Sequence, residues 1–160
     1  MVKYTETEVV FAEIPDEVTL AINISNCPHN CKGCHSPYLR QDIGNILTED
    51  VLDSLIEKNE GITCVCFMGE GKEPMEIYNL GIHIKEKYPE LKIGIYTGGE
   101  DIDDFFYGLF DYIKIGPYIE ELGPLNKKTT NQRLYKLIQN IHGYVPEDIT
   151  EKFWKEDKTK

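Results

Sequence analysis

Three of the chain's five cysteines, Cys27, Cys31 and Cys34, fall within eight residues in the spacing Cys-x3-Cys-x2-Cys. Three thiolates so close cannot all pair with one another, and unpaired clustered cysteines suit a reducing compartment better than a disulfide scaffold. Their chemistry is that of metal ligands. One option is a structural zinc ion, with His29 or His35 as the fourth corner of a tetrahedron. The other is a four-iron cluster. Such a cube ordinarily takes four thiolates, so three leave one iron with an open position. A substrate can bind there, as it does at the open position of a catalytic zinc. Pro28 fixes φ and Gly33 permits close backbone approach, and both suit a loop wrapped round a compact object.

Such a loop needs elements to hold it. Residues 18–24, Val-Thr-Leu-Ala-Ile-Asn-Ile, have the β-branched character and partial alternation of a strand. The cysteines then lie just past a strand's carboxyl end, where α/β folds place their chemistry. Residues 8–13 read as a second strand, with a turn at Pro15 and Asp16, so a hairpin opens the chain. Residues 36–46 show no period and read as a covering segment. Thr48 is an N-cap candidate, followed by Glu49 and Asp50 and an apolar face of Val51, Leu52, Leu55 and Ile56. Residues 62–68 form a short apolar run, hence a buried strand. Cys64 and Cys66 share one of its faces and read as small core residues rather than ligands. A helix follows with Pro74 in its first turn and Ile77, Leu80, Ile84 and Tyr88 on one side. Its Gly81 weakens it slightly. His83 and His142 have no ligand-like sequence neighbours and read as ordinary.

Residues 91–96 and 112–115 give two more strands, separated by a short helix over 101–110 with Phe105, Phe106, Leu109 and Phe110 as core. Strand and helix alternate, which predicts an α/β protein with a mostly parallel sheet covered by helices. Residues 133–138 read as a strand paired with 143–149, and Phe153 and Trp154 as docking residues of a charged tail. The whole chain reads as one domain, with a core of about residues 18–116 and a C-terminal extension over 117–160. Four or so βα units are too few for an eight-stranded barrel of about 250 residues. The physical alternative is a partial (βα) barrel, whose open side suits a large substrate such as a loop of another protein.

The 160 residues are 41% hydrophobic and 28% charged, an ordinary globular composition. A net charge of −11 argues against nucleic acid as a partner, because phosphate binding needs a basic surface. No apolar run approaches the ~18 residues of a membrane span. The first residues lack the apolar core of a signal peptide. These features together lead us to expect a soluble, cytoplasmic protein.

The cysteine spacing after a first strand resembles the signature of radical S-adenosylmethionine (SAM) enzymes, with Gly33 where that signature often carries an aromatic residue. The resemblance implies a [4Fe-4S] cluster on Cys27, Cys31 and Cys34, SAM chelated on the open iron, and a partial barrel. It implies cofactor contacts at Gly33, Cys34 and His35. Residues 68–71, Met-Gly-Glu-Gly, stand where the family has a Gly-Gly-Glu-like turn that meets the methionyl amine, implying contacts at Gly69 and Glu70. Met68 replaces the first glycine of that pattern. Thr97, Gly98, Lys114 and Gly116 end strands on the same expected edge and are candidates for the adenosine pocket.

Residues 111–125 and 129–135, with residues 27–38 and 66–69, resemble one subgroup, the activating proteins of anaerobic ribonucleoside-triphosphate reductases. That resemblance implies an activase that generates a glycyl radical on the large reductase subunit. It also implies a flavodoxin- or ferredoxin-like electron donor, and a homodimer or a complex with the reductase. Residues 131–133, Asn-Gln-Arg, read as part of the partner interface or as a capped polar loop. The alternatives are a radical SAM enzyme with another target, protein or small molecule, and a non-catalytic module built on zinc.

Overall fold

The computed structural model describes residues 2–11, 13–25, 44–69, 73–97, 99, 104–116, 119, 121–122, 130–140 and 143–154. Eight strands form one sheet: β1 (Lys3–Val10), β2 (Thr19–Ile24), β3 (Asn45–Ile46), β4 (Cys64–Met68), β5 (Lys92–Tyr96), β6 (Tyr112–Ile115), β7 (Arg133–Asn140) and β8 (Gly143–Asp148). Their order across the sheet is β3-β1-β2-β4-β5-β6-β7-β8. Two helices, α1 (Glu49–Lys58) and α2 (Pro74–Lys87), fall between β3 and β4 and between β4 and β5.

The sheet is mixed rather than mostly parallel. β2, β4, β5 and β6 pair in parallel, whereas β1, β3, β7 and β8 join antiparallel. Connection length explains two of these antiparallel pairs. A parallel pair needs a crossover of a dozen or more residues, and only two residues separate β7 from β8 while eight separate β1 from β2. Both pairs are therefore hairpins. The second agrees with the pairing expected for residues 133–138 and 143–149, and Pro146 sits in the edge strand, where a missing N–H breaks no interior ladder.

Other boundaries moved. The first strand covers Lys3–Val10, not 8–13, and Phe11 is 71% exposed. Pairing with β2 draws the Tyr-Thr-Glu-Thr stretch into the ladder, a tertiary gain that apolar patterning does not reveal. Within the expected covering segment, Asn45 and Ile46 pair with Tyr4 and Lys3. The expected helix over 101–110 is a 3₁₀ turn, Asp104–Gly108. Its paired aromatics serve as packing: Phe106 and Phe110 are fully buried with ring centroids 5.1 Å apart.

α1 starts as its sequence dictates. The Thr48 side chain accepts a hydrogen bond from the Val51 amide, and Leu52 and Ile56 face inward. Both helices pack on one face of the sheet, where Leu20, Ile22, Val65, Phe67, Ile93 and Ile95 meet Leu52, Ile56, Ile77 and Ile84. The opposite face carries a smaller cluster, in which Cys64, Cys66, Tyr112 and Leu134 pack with Ile14 and Ile149, and Phe153 rests against it. The side chain of Trp154 lies outside the described residues.

Candidate functional site

The parallel register brings four strand exits to one edge. Asn23 lies opposite Met68, Met68 opposite Tyr96, and Tyr96 opposite Lys114. The chain leaves this edge at Ser25, Gly69, Thr97 and Gly116. Ser25 is buried and tied down by its amide to the Lys3 carbonyl at 3.0 Å, two residues before Cys27. Cys27, Cys31, Gly33, Cys34 and His35 lie outside the described residues, as do Glu70 and Gly98.

Of the expected site residues, the structure brings Gly69, Thr97, Lys114 and Gly116 to that edge. Gly69 has φ +119°, and a Cβ there would meet Ile24 O at an ordinary 3.5 Å. Backbone conformation, not crowding, demands glycine at this position. Gly116 combines both demands. Its φ is +100°, and a Cβ would come within 3.0 Å of the Gln132 Cα and 3.2 Å of the Asn131 carbonyl. The Gly116 amide donates to the Gly99 carbonyl at 2.6 Å. Thr97 is buried, with its amide on the Lys114 carbonyl and its hydroxyl accepting from the Gly99 amide.

Lys114 is the charged member, only 7% exposed. Its ammonium donates to the carbonyls of Thr97 (3.1 Å) and Gly116 (2.9 Å) and lies 5.7 Å from the centroid of the Tyr96 ring. It ties the exits of β5 and β6 together and puts fixed positive charge under the edge. A buried cation needs such partners, and this one favours anionic groups bound nearby. Tyr96, which the sequence did not mark, anchors the arrangement. Its hydroxyl bonds to the Glu13 carbonyl, and burial pushes its ionisation up. Only the strand register reveals that Met68, Tyr96 and Lys114 form one row.

The remaining cysteines are not ligands. Cys64 and Cys66 are fully buried on the face opposite the helices. Burial, reinforced by the Glu17 carboxylate, pushes the Cys64 thiol up to about 12, and burial raises Cys66 as well. A thiol held protonated is a poor metal ligand. Of five cysteines, this leaves the three of the signature, a donor set that suits iron with one position open.

His83, expected to lack ligand-like neighbours, has two carboxylates beside it. Asp53 Oδ1 lies 2.7 Å from Nε2 and Glu49 Oε2 3.6 Å from Nδ1, while Lys87 holds the other Asp53 oxygen at 2.7 Å. Helical spacing on two separate segments hid this contact. Burial acts to raise the Asp53 carboxyl, but hydrogen bonds from Lys87 and His83 outweigh it and hold the group below its usual range. The cluster clamps α1 to α2. Among the described residues no group of three or more His, Cys, Asp or Glu side chains could hold a metal ion.

A model of the family described as 4Fe-4S single cluster domain matches residues 18–138. No curated protein and no solved structure matches the chain.

Proposed function

Because the chain belongs to the 4Fe-4S single cluster domain family, we propose that it is a radical SAM activase for an anaerobic ribonucleoside-triphosphate reductase. Its cofactor is an iron–sulfur cluster. Zinc as the metal of the signature therefore gives way to iron. The observation that carries the proposal is the extent of the match. Residues 18–138 enclose Cys27, Cys31 and Cys34 together with the exits of β2, β4, β5 and β6.

In this reading Cys27, Cys31 and Cys34 would hold the cluster and leave one position open to SAM. When bound, the cluster would supply the single electron for reductive cleavage of SAM, the source of the radical that activates a glycine of the reductase. Everything else falls to the chain's own residues. Gly69, with no Cβ, lets the backbone at the end of β4 approach the methionyl amine, with Glu70 beside it. Gly33 and His35 flank the last ligand. Thr97, Lys114 and Gly116 line the far half of the edge, where the buried ammonium and the linked turns would hold the adenosine end in one position, with Gly98 as a further candidate contact. No side chain of this protein needs to act as a general base, because the abstracted hydrogen leaves as an atom. The protein's task is orientation and exclusion of water.

In this reading the fold is a partial (βα) barrel of the radical SAM type, a reading supported by the two helices on one face of the parallel strands. An electron donor of the flavodoxin or ferredoxin kind completes the system.

Electron paramagnetic resonance on the anaerobically reconstituted, reduced protein tests this directly. A four-iron signal whose shape changes on adding SAM is expected. A cluster signal indifferent to SAM would leave an iron–sulfur protein and remove the activase.

A further inference from the structure

Both ends of the stretch that carries Cys27, Cys31 and Cys34 are fastened to the same three residues, Val2, Lys3 and Tyr4. On the way in, Ile24 pairs with Tyr4, and the Ser25 amide and hydroxyl both donate to the Lys3 carbonyl, at 3.0 and 3.3 Å. On the way out, Asn45 pairs with Tyr4, Ile46 with Lys3, and the Leu47 amide donates to the Val2 carbonyl at 2.9 Å. Gly44 turns the chain into this contact with φ +97°, and a Cβ there would collide with the Tyr4 carbonyl group. Only glycine lets the two backbones approach so closely. Residues 2–4 thus form a strap across the base of the cysteine-bearing stretch, with Val2 itself buried.

The strap is fastened in turn to α2. The Val2 amide donates to Glu76 Oε2 at 2.8 Å, across 74 residues of sequence. Glu76 stands in the first turn of α2, two residues after Pro74. A glutamate at the third helical position commonly turns back to cap its own helix, and Glu73, the N-cap residue, makes no side-chain capping bond. Glu76 reaches across to Val2 instead. A carboxylate accepting from a backbone amide is among the stronger hydrogen bonds a protein makes. Because α2 follows the turn that Gly69 begins, Glu76 links the strap to the β4 exit of the reactive edge.

We infer that Glu76 is a positioning residue for the iron site: by holding the Val2 amide it locks the strap, and the strap fixes both ends of the cysteine-bearing stretch relative to the β4 exit. The inference rests on the reading that these three cysteines hold the cluster. The physical reason is chain entropy. Ligands on a stretch whose two ends are already fixed lose less freedom when they close on a metal. The cluster is then bound more tightly and lost more slowly. Contacts behind the ligands of a metal site are commonly worth about 10–100-fold in affinity. Glu76 acts through Val2 and takes no part in bond breaking.

The test compares wild-type protein with Glu76→Ala and Glu76→Gln, each reconstituted anaerobically with iron and sulfide. Hydrogen exchange is followed by mass spectrometry, and the rate at which iron passes to an added ferrous chelator is measured alongside. Glu76→Ala should release iron roughly tenfold faster. Its peptides containing Ser25 and Leu47 should exchange faster, while those of β5 exchange as in wild type. Glu76→Gln keeps an oxygen that accepts from the Val2 amide and should behave close to wild type. Three results would each overturn the inference. Iron release unchanged in Glu76→Ala would show that the strap does not serve the iron site. Exchange accelerated equally in β5 would show that the contact serves the whole fold. A Glu76→Gln protein as impaired as Glu76→Ala would trace the effect to charge and not to the bond with Val2. Wild-type protein that retains no iron would sink the cluster reading itself, a failure distinct from equal release by wild type and variant.

Discussion

Cys64 and Cys66 show how burial sets the state of a thiol. Two residues apart on a buried strand, both thiols are held protonated. The native pKa of Cys64, about 12, stands above the ordinary 9.0. The native state thus prefers the protonated thiol, and this contribution to stability is complete below pH 9 and lost as pH rises from 9 toward 12. Cys64→Ala should therefore lose less stability between pH 8 and pH 11 than wild type, measured by urea unfolding at both pH values; an equal loss would refute the assignment. Neither thiol should react with a thiol reagent in the native protein. The two edge glycines form a graded pair. Gly116→Ala meets both a left-handed φ and a 3.0 Å clash with backbone, and should cost roughly 1–3 kcal/mol in urea unfolding. Gly69→Ala meets only the φ and should cost less. The sequence marked both glycines as strand ends, but the segment leading into β7 that lies against Gly116 is a tertiary fact.

At the scale of elements, the chain between 48 and 96 was legible. Capping by Thr48, the apolar stripe of α1 and the runs of β4 and β5 are local signals, and they lie where the pattern puts them. Gly81 was not. A sequence reading counts it as a weak spot in α2, yet a Cβ there would sit 2.9 Å from Cε1 of the fully buried Phe110 and 3.2 Å from Ile93. The glycine lets helix and aromatic close up. Gly81→Ala gains about 1 kcal/mol of helix propensity, but overpacking a closed core costs about 1–3 kcal/mol. The variant should be destabilised, with a lower urea midpoint. A raised midpoint would show that Phe110 can move aside. The α1–α2 clamp through Asp53, His83 and Lys87 was equally hidden, because its members sit on different elements and meet only when both helices lie on one sheet face.

For the molecule as a whole, the strands and helices supply the hydrophobic clusters on both sheet faces, and Cys27, Cys31 and Cys34 are the proposed cluster ligands. Each Cys→Ala change at these positions should abolish the SAM-responsive four-iron signal and reductase activation while far-UV circular dichroism stays close to wild type. Full activation by any one of the three would remove the cluster assignment. No helix among the described residues is long and apolar enough to cross a membrane. By itself the sequence determined the cysteine cluster that marks a metal site and the central strands. Cysteine spacing, turn glycines and apolar runs are local properties, readable without knowing what packs where. Tertiary structure alone decided the antiparallel flanks, the row of Met68, Tyr96 and Lys114, and the close approach of residues 131 and 132 to Gly116. Each of these depends on which strands become neighbours and in what register, and pairing between distant segments leaves no mark on the residues that lie between them.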